Sequence, residues 1–426
     1  MLAYKPVTWI ILAVAIPILL FFAAKSIAYN EYIKIRNFFY DNFYSAKYSI
    51  NSFYGFTDKD IVILDIDNRS LQELGNFNRL WSRSNFGRVI GNIKNDGARA
   101  VFLDILFKGV ISDYDNRVLV DSLKSAGNVF LGIYLIPDDN SKKKIPEMLN
   151  KNSFIDSINN NRVDFLSSGT VDFSYHDLIM SSESVGFTNC VPDNDGVLRH
   201  MPLLMLYRRL LYSSVSMQMW VHLNNLSHTD ALFRNDGITY SDYFFIPTDR
   251  NCYVKVNYQG LKNAFKYYSF IDVFNNNYRK GLFKDKIVMI GSSSTFFKDF
   301  KKIPGGIVPG VQVHAATLSM LINENFVRVS NLYLELVIAI LCGLSAAFFF
   351  RGRNPGRAFA GLFLLALSMV LLTFIVFYIF SYLVNLTLGF ITLALYLAVV
   401  LLLNLFPEKK MKELIKNKDN FLEIVR

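Results

Sequence analysis

The chain is short of the residues on which most enzymes and many disulfide-built exported folds depend. Its 426 residues hold three cysteines. Cys342 lies inside an apolar run, leaving Cys190 and Cys252 as the only pair outside one. A disulfide between them suits an oxidising compartment, but a fold resting on a disulfide framework is excluded. The five histidines, His176, His200, His222, His228 and His314, offer no pair at zinc-ligand spacing and no His-Glu-x-x-His arrangement, so no metal site is expected. No Gly-x-Ser-x-Gly elbow or kinase motif set is present. Gly291-Ser292-Ser293-Ser294 lacks the lysine and spacing of a phosphate-binding loop and reads as a tight turn after a strand. No catalytic constellation and no cofactor follow, which makes an exported enzyme the weakest functional reading.

Acidic residues are outnumbered, 35 against 45 Lys and Arg, for a formal charge of +10. Much of that excess flanks apolar runs, where anionic lipid accounts for it, and a nucleic-acid partner is discounted. What the chain does have is apolar runs of membrane length, since roughly 20 residues of helix span the hydrocarbon core. They cover Val7 to Ala24, Leu332 to Phe350, Ala358 to Phe380 and Leu383 to Leu405; among the last three the only charge is Glu335, near an edge. Four transmembrane helices are predicted, one before and three after a mostly polar middle.

Arg351, Arg353 and Arg357 crowd the loop between the second and third runs, and Lys409, Lys410, Lys412, Lys416 and Lys418 follow the fourth. Basic short loops face the cytoplasm, which puts the N-terminus inside and Ala28 to Asn331 outside. Ser26-Ile27-Ala28 also fits a signal-peptidase site; Pro17 and the run's length favour a retained anchor, and either reading exports the middle. The predicted organisation is a transmembrane anchor over 1–27, an extracytoplasmic domain over 28–331, three transmembrane helices over 332–405 and a basic cytoplasmic tail over 406–426. A multi-pass location in the cytoplasmic membrane is predicted.

Within the exported part, a polar, aromatic-rich helix runs around Glu31 to Tyr48. Ile61 to Ile66, Ala100 to Leu106 and Asn128 to Ile133 are runs without helical period and read as buried parallel strands. Between them, Ser84 to Asp96 has helical spacing at Phe86, Val89, Ile90 and Ile93, and Asp115 to Ser125 turns Val118, Leu119 and Leu123 inward. This β-α-β-α-β order predicts an α/β fold, a parallel sheet sandwiched by helices. Pro137 to Arg162 loses the pattern and reads as an exposed insertion. Val185 to Asn189, Leu198 to Tyr207, Tyr253 to Tyr258 and Lys286 to Ile290 are further strands, and Val311 to Asn323 a final helix. Pro192-Asp193-Asn194-Asp195-Gly196 has turn chemistry; the glutamate that would close a calcium loop is replaced by Leu204.

Asp65 and Asp67 end the first strand and Asp104 the second. In a parallel sheet with a single crossover these ends adjoin, and the crevice beyond them is where open α/β folds bind ligands. The carboxylates there suit a hard cation or a cationic ligand, with Arg83 and Arg199 as charge partners. The structural alternative, that they cap helices and satisfy turns, stays open.

The ordered motifs resemble the type-two CHASE domain, an extracellular sensory module found ahead of bacterial adenylate cyclases, histidine kinases and Ser/Thr kinases. The resemblance covers approximately Asp41 to Val329. It is carried by Ile63-Leu64-Asp65-Ile66-Asp67 with Ser70 and Leu71, Trp81-Ser82-Arg83, Ala98 to Phe107, Val185 to Asn189, Pro192 to Arg199, Pro202-Leu203, Lys286 to Gly291, Asp299, and Pro309 to Ala315. It implies the same layout of one helix before the sensor and three after, followed by a cytoplasmic output. Here only Phe406 to Arg426 follow the last run, too few for a cyclase or kinase core. Met411, Leu414, Lys418, Phe421 and Val425 sit at coiled-coil spacing, which fits a signalling-helix stub or an amphipathic helix on anionic lipid.

Two functions follow. The first is a transmembrane receptor that senses an unknown small ligand and acts as a homodimer or through a partner protein. The second is an envelope assembly protein whose exported domain docks a partner complex.

Overall fold

A computed structural model describes residues 6–26, 28–75, 81–109, 112–136, 153–154, 166–207, 210–240, 243–350 and 355–405. The tail after Leu405, the Arg351 and Arg353 loop and nearly all of the Pro137 to Arg162 insertion lie outside these residues. The chain divides into two compact units, Tyr44–Val327 and Met1–Phe43 with Arg328–Arg426.

The first unit is a mixed α/β domain built on a parallel sheet. Its strands are β1 (Ile61–Asp65), β2 (Ala100–Leu103), β3 (Val129–Ile136), β4 (Ser184–Phe187), β5 (Lys266–Ser269) and β6 (Ile287–Gly291). They lie in the order β5-β1-β6-β2-β3-β4, all parallel, with Thr170–Asp172 added antiparallel along the far end of β3. Near-continuous apolar runs such as Ile-Val-Ile-Leu and Ala-Val-Phe-Leu are what a strand needs when both faces are covered.

Alternation divides those side chains between two helical layers. Val62, Leu64, Val101, Leu103, Val288 and Ile290 join the core with helix Arg83–Asn95, through Phe86, Val89, Ile90 and Ile93, and with helix Asp113–Ala126, through Leu119 and Leu123. Each helix starts on a serine cap: Ser82 accepts from the Ser84 amide and Ser112 from the Asp115 amide. The second ends at Gly127, whose φ of 69° closes the last turn. The opposite layer holds helices Val215–Leu223 and Gly310–Ile322. Two glycines bring those helices close: a Cβ on Gly291 would lie 2.5 Å from the Val311 Cβ, and one on Gly186 2.5 Å from the Val215 Cα.

One expectation about this sheet fails. β1 and β2 do not adjoin, because β6, the last sheet strand in the chain, pairs with both and separates them. The structure adds elements beyond those expected: β5 at the sheet edge, helix Val215–Leu223, the meander Ala231–Arg234, Gly237–Tyr240 and Phe244–Pro247, and the hairpin Phe300–Ile303 and Gly306–Pro309. The expected strand over Leu198 to Tyr207 is split into His200–Pro202 and Leu204–Tyr207.

In the second unit, helices Leu332–Phe350 and Phe359–Phe380 are long and apolar enough to cross a membrane, and a third span results if the bent pair Ile11–Lys25 and Tyr29–Phe53 counts as one. The last apolar run forms helix Thr387–Leu405, which starts later than expected. Tyr382–Leu383 instead pairs in parallel with Arg328–Val329, and Asn385 Oδ1 accepts from the Thr387 amide and hydroxyl. Glu335 is buried and collects three donors: the Tyr32 hydroxyl at 2.5 Å, Asn385 Nδ2 at 3.0 Å and the Leu388 amide at 2.9 Å. A carboxylate buried in the protein is tolerated because its acceptor capacity is met.

Candidate functional site

The carboxyl ends of β1 and β6 form a switch point. The chain leaving β1 enters the layer of helix Arg83–Asn95 through Leu71, whereas the chain leaving β6 reaches helix Gly310–Ile322 on the other face. Adjacent loops that part in opposite directions leave a crevice, the usual ligand position in open α/β sheets.

Ser292, Ser293 and Ser294 tie the end of β6 to the end of β1. Ser292 Oγ donates to the Ile66 carbonyl at 2.7 Å, the Ser293 amide to Asp65 Oδ1 at 2.7 Å, and Ser294 Oγ to Asn68 Oδ1 at 2.7 Å. The Ser293 hydroxyl also donates to Asp65 Oδ2. Gly291 to Ser294 is therefore the strand-to-loop turn read from the sequence, and it fixes the Asp65 carboxylate. Burial raises that carboxyl above its ordinary value and the Asp67 charge adds to this, while the Ser293 bonds and Lys262 oppose it.

Beyond this clasp lies a cavity of about 410 Å³ lined by Asp65, Asp67, Asn68, Arg69, Lys262, Tyr267, Tyr268, Ser269 and Ser293. Asp67 also does what the structural alternative anticipated. It caps helix Asn68–Leu74, accepting at Oδ1 from the Ser70 amide at 2.8 Å and hydroxyl at 2.7 Å. Arg69 is committed to Asp272 and, at 4.0 Å, to Glu73. The Tyr267 hydroxyl donates to Gln312 at 2.7 Å.

The five residues singled out from the sequence do not converge. Asp65 and Asp67 line the cavity, but Asp104 is not among its lining residues. It lies past β6, with its amide on the Ile290 carbonyl at 2.9 Å, within the fields of Asp299 and Lys301, which pair at 2.8 Å. Burial pushes its carboxyl up to about 7, with Asp299 adding and Lys301 opposing. Cys190 and His314 belong to the same cluster. Burial pushes the Cys190 thiol up to about 12 and pulls the His314 imidazole down to about 4.

Arg83 and Arg199 serve elsewhere. Arg83 is buried and forks to Asn116 Oδ1 and to the carbonyls of Lys108 at 2.9 Å and Gly109 at 2.7 Å. Arg199, also buried, grips Asp193 at 3.0 Å and Asp195 at 2.8 Å, locking the Pro192 to Gly196 turn and holding Asp195 below the ordinary carboxylate range. All three cysteines are free thiols. Among the described residues, no group of three His, Cys, Asp or Glu side chains is placed to hold a metal ion.

Sequence reasoning missed Lys262, Tyr267, Tyr268 and Ser269. They belong to a short segment and edge strand with no apolar run to announce them. Ser293 was within reach, since it follows a recognisable strand.

A family model described as the CHASE2 domain matches residues 11–348. The match extends beyond Asp41 to Val329, taking in most of helices Pro6–Lys25 and Leu332–Phe350. Neither curated proteins nor solved structures give a match.

Proposed function

The chain belongs to the CHASE2 domain family, and from that premise we propose that it is a membrane-tethered sensor whose ligand occupies the cavity at the ends of β1 and β5. The observation that carries this reading is the cavity itself, a polar hollow of about 410 Å³ at a switch point of a parallel sheet. Its volume is within the range of small-molecule sites, about 300–1,000 Å³.

In this reading residues 28–331 stand outside a bacterial inner membrane, 1–27 anchor them and 332–405 cross three times. The basic Arg351 to Arg357 loop and the tail over 406–426 face the cytoplasm. The ligand acts by favouring one of two conformations or dimer packings, which requires different affinity for the two. Output passes to a signalling enzyme, in a homodimer or through a partner protein. Asp65 and Asp67 line the ligand's cavity, and Asp104, Arg83 and Arg199 lie outside its lining.

The test is affinity purification of the full-length protein in mild detergent, followed by mass spectrometry of what accompanies it. A cyclase, kinase or homodimer supports the sensor. A stoichiometric envelope component, retained after Asp65→Asn and Asp67→Asn, would overturn it in favour of an assembly role.

A further inference from the structure

The identity of the ligand rests on the reading of that cavity as the sensor site, and the bonds already made inside it decide which groups remain to bind one. Four charges line it, Asp65 and Asp67 against Arg69 and Lys262. Two are spent. Both Asp65 oxygens accept from Ser293, and Arg69 is held by Asp272 and Glu73.

The other two are not. Asp67 uses Oδ1 for both bonds to Ser70, and its Oδ2 has no hydrogen-bond donor among the described residues. The Lys262 ammonium faces the Tyr267 ring at 5.5 Å and forms no ion pair among the described residues. The Tyr268 hydroxyl likewise makes no hydrogen bond within that set.

One anionic edge and one ammonium are thus left open in a cavity whose charges cancel. A purely anionic or cationic ligand satisfies one and leaves the other without a direct partner. A neutral sugar satisfies neither as a charge, and bonds to charged groups are the stronger ones. A zwitterion satisfies both.

We propose that the cavity binds a free α-amino acid, its ammonium on Asp67 and its carboxylate on Lys262. The two residues can be altered without disturbing the fold. Asparagine caps a helix as well as aspartate does, so Asp67→Asn keeps the turn at Ser70, and Lys262→Gln changes an exposed side chain.

The experiment is calorimetric titration of the full-length chain in lipid nanodiscs with each common L-amino acid. The best binder is then followed by its carboxamide, which lacks the carboxylate, by its deaminated acid, which lacks the ammonium, and by glucose as a neutral probe. Loss of either charge should weaken binding about 10- to 100-fold. Asp67→Asn should weaken the amino acid similarly while leaving the deaminated acid unchanged, and Lys262→Gln should do the same for the carboxamide.

Amino-acid binding indifferent to both substitutions overturns the proposal, as does failure of every amino acid to bind at millimolar concentration. Glucose binding that outcompetes the amino acids overturns it too, but leaves the sensor reading standing. Only the purification result above removes the sensor reading itself.

Discussion

Replacing Asp104 by Asn should stabilise the protein at alkaline pH and leave it unchanged in acid. The Asp104 carboxyl is raised from 3.8 to about 7 by burial, then by Asp299, against the pull of Lys301. A carboxyl whose folded-state pKa exceeds its unfolded value binds its proton more tightly when folded. Its ionisation therefore opposes folding: the penalty is absent below about pH 4, grows from there to about pH 7 and is constant above. Roughly three units at 1.36 kcal/mol each give an upper bound of about 4 kcal/mol. Partial solvent contact at this residue reduces the working figure to about 2–4 kcal/mol. Asn has nearly the shape of the protonated acid, and Lys301 keeps its partner Asp299. Thermal unfolding of the full-length protein and the Asp104→Asn variant should thus coincide near pH 4. Near pH 8 the variant should melt higher by several degrees, at about 2–4 °C per kcal/mol for a domain of this size. A variant that melts lower than the parent by the same amount at both pH values would refute the reasoning and give Asp104 a structural bond instead.

Glu335→Ala should cost about 3 kcal/mol or more, because it strands the Tyr32, Asn385 and Leu388 donors in a buried setting. Tyr32→Phe, which removes one donor, should cost about 1–2 kcal/mol, both read by thermal unfolding of the full-length protein. Arg83→Lys should lose about 2–4 kcal/mol despite keeping its charge, since an ammonium cannot reproduce the fork to Asn116, Lys108 and Gly109; urea unfolding checks this. Gly186→Ala drives a Cβ to 2.5 Å from the Val215 backbone and should cost about 1–3 kcal/mol, read as a lower melting temperature.

The sequence made the elements at the centre of the sheet legible for local reasons. Ile61 to Asp65 and Ala100 to Leu103 are apolar runs too short for helices, and Arg83–Asn95 combines a serine cap with a 3.6-residue apolar period. Strand order was not legible, because the apolar run of Ile287–Gly291 marks a covered strand but not which two strands it lies between. Its place between β1 and β2 depends on a late helix, Gly310–Ile322, packing over Gly291 across the opposite face. β5 gave still less signal, since Lys-Tyr-Tyr-Ser at an edge has no need of a continuous apolar run.

The fate of the charged residues follows from the same difference between near and distant partners. Arg199, expected as a charge partner at the acidic crevice, closes instead on Asp195, four residues away, and Asp193, six away. Asp67 closed on Ser70, three residues on. A short loop costs less entropy to close than a long one, which favours these local pairings. Charges left for a ligand lack such a partner, as Lys262 does, or have an oxygen to spare, as Asp67 does. Finding them required the topology, because the cavity draws on Asp65 to Arg69, Lys262 to Ser269 and Ser293, segments brought together only where β5, β1 and β6 end side by side.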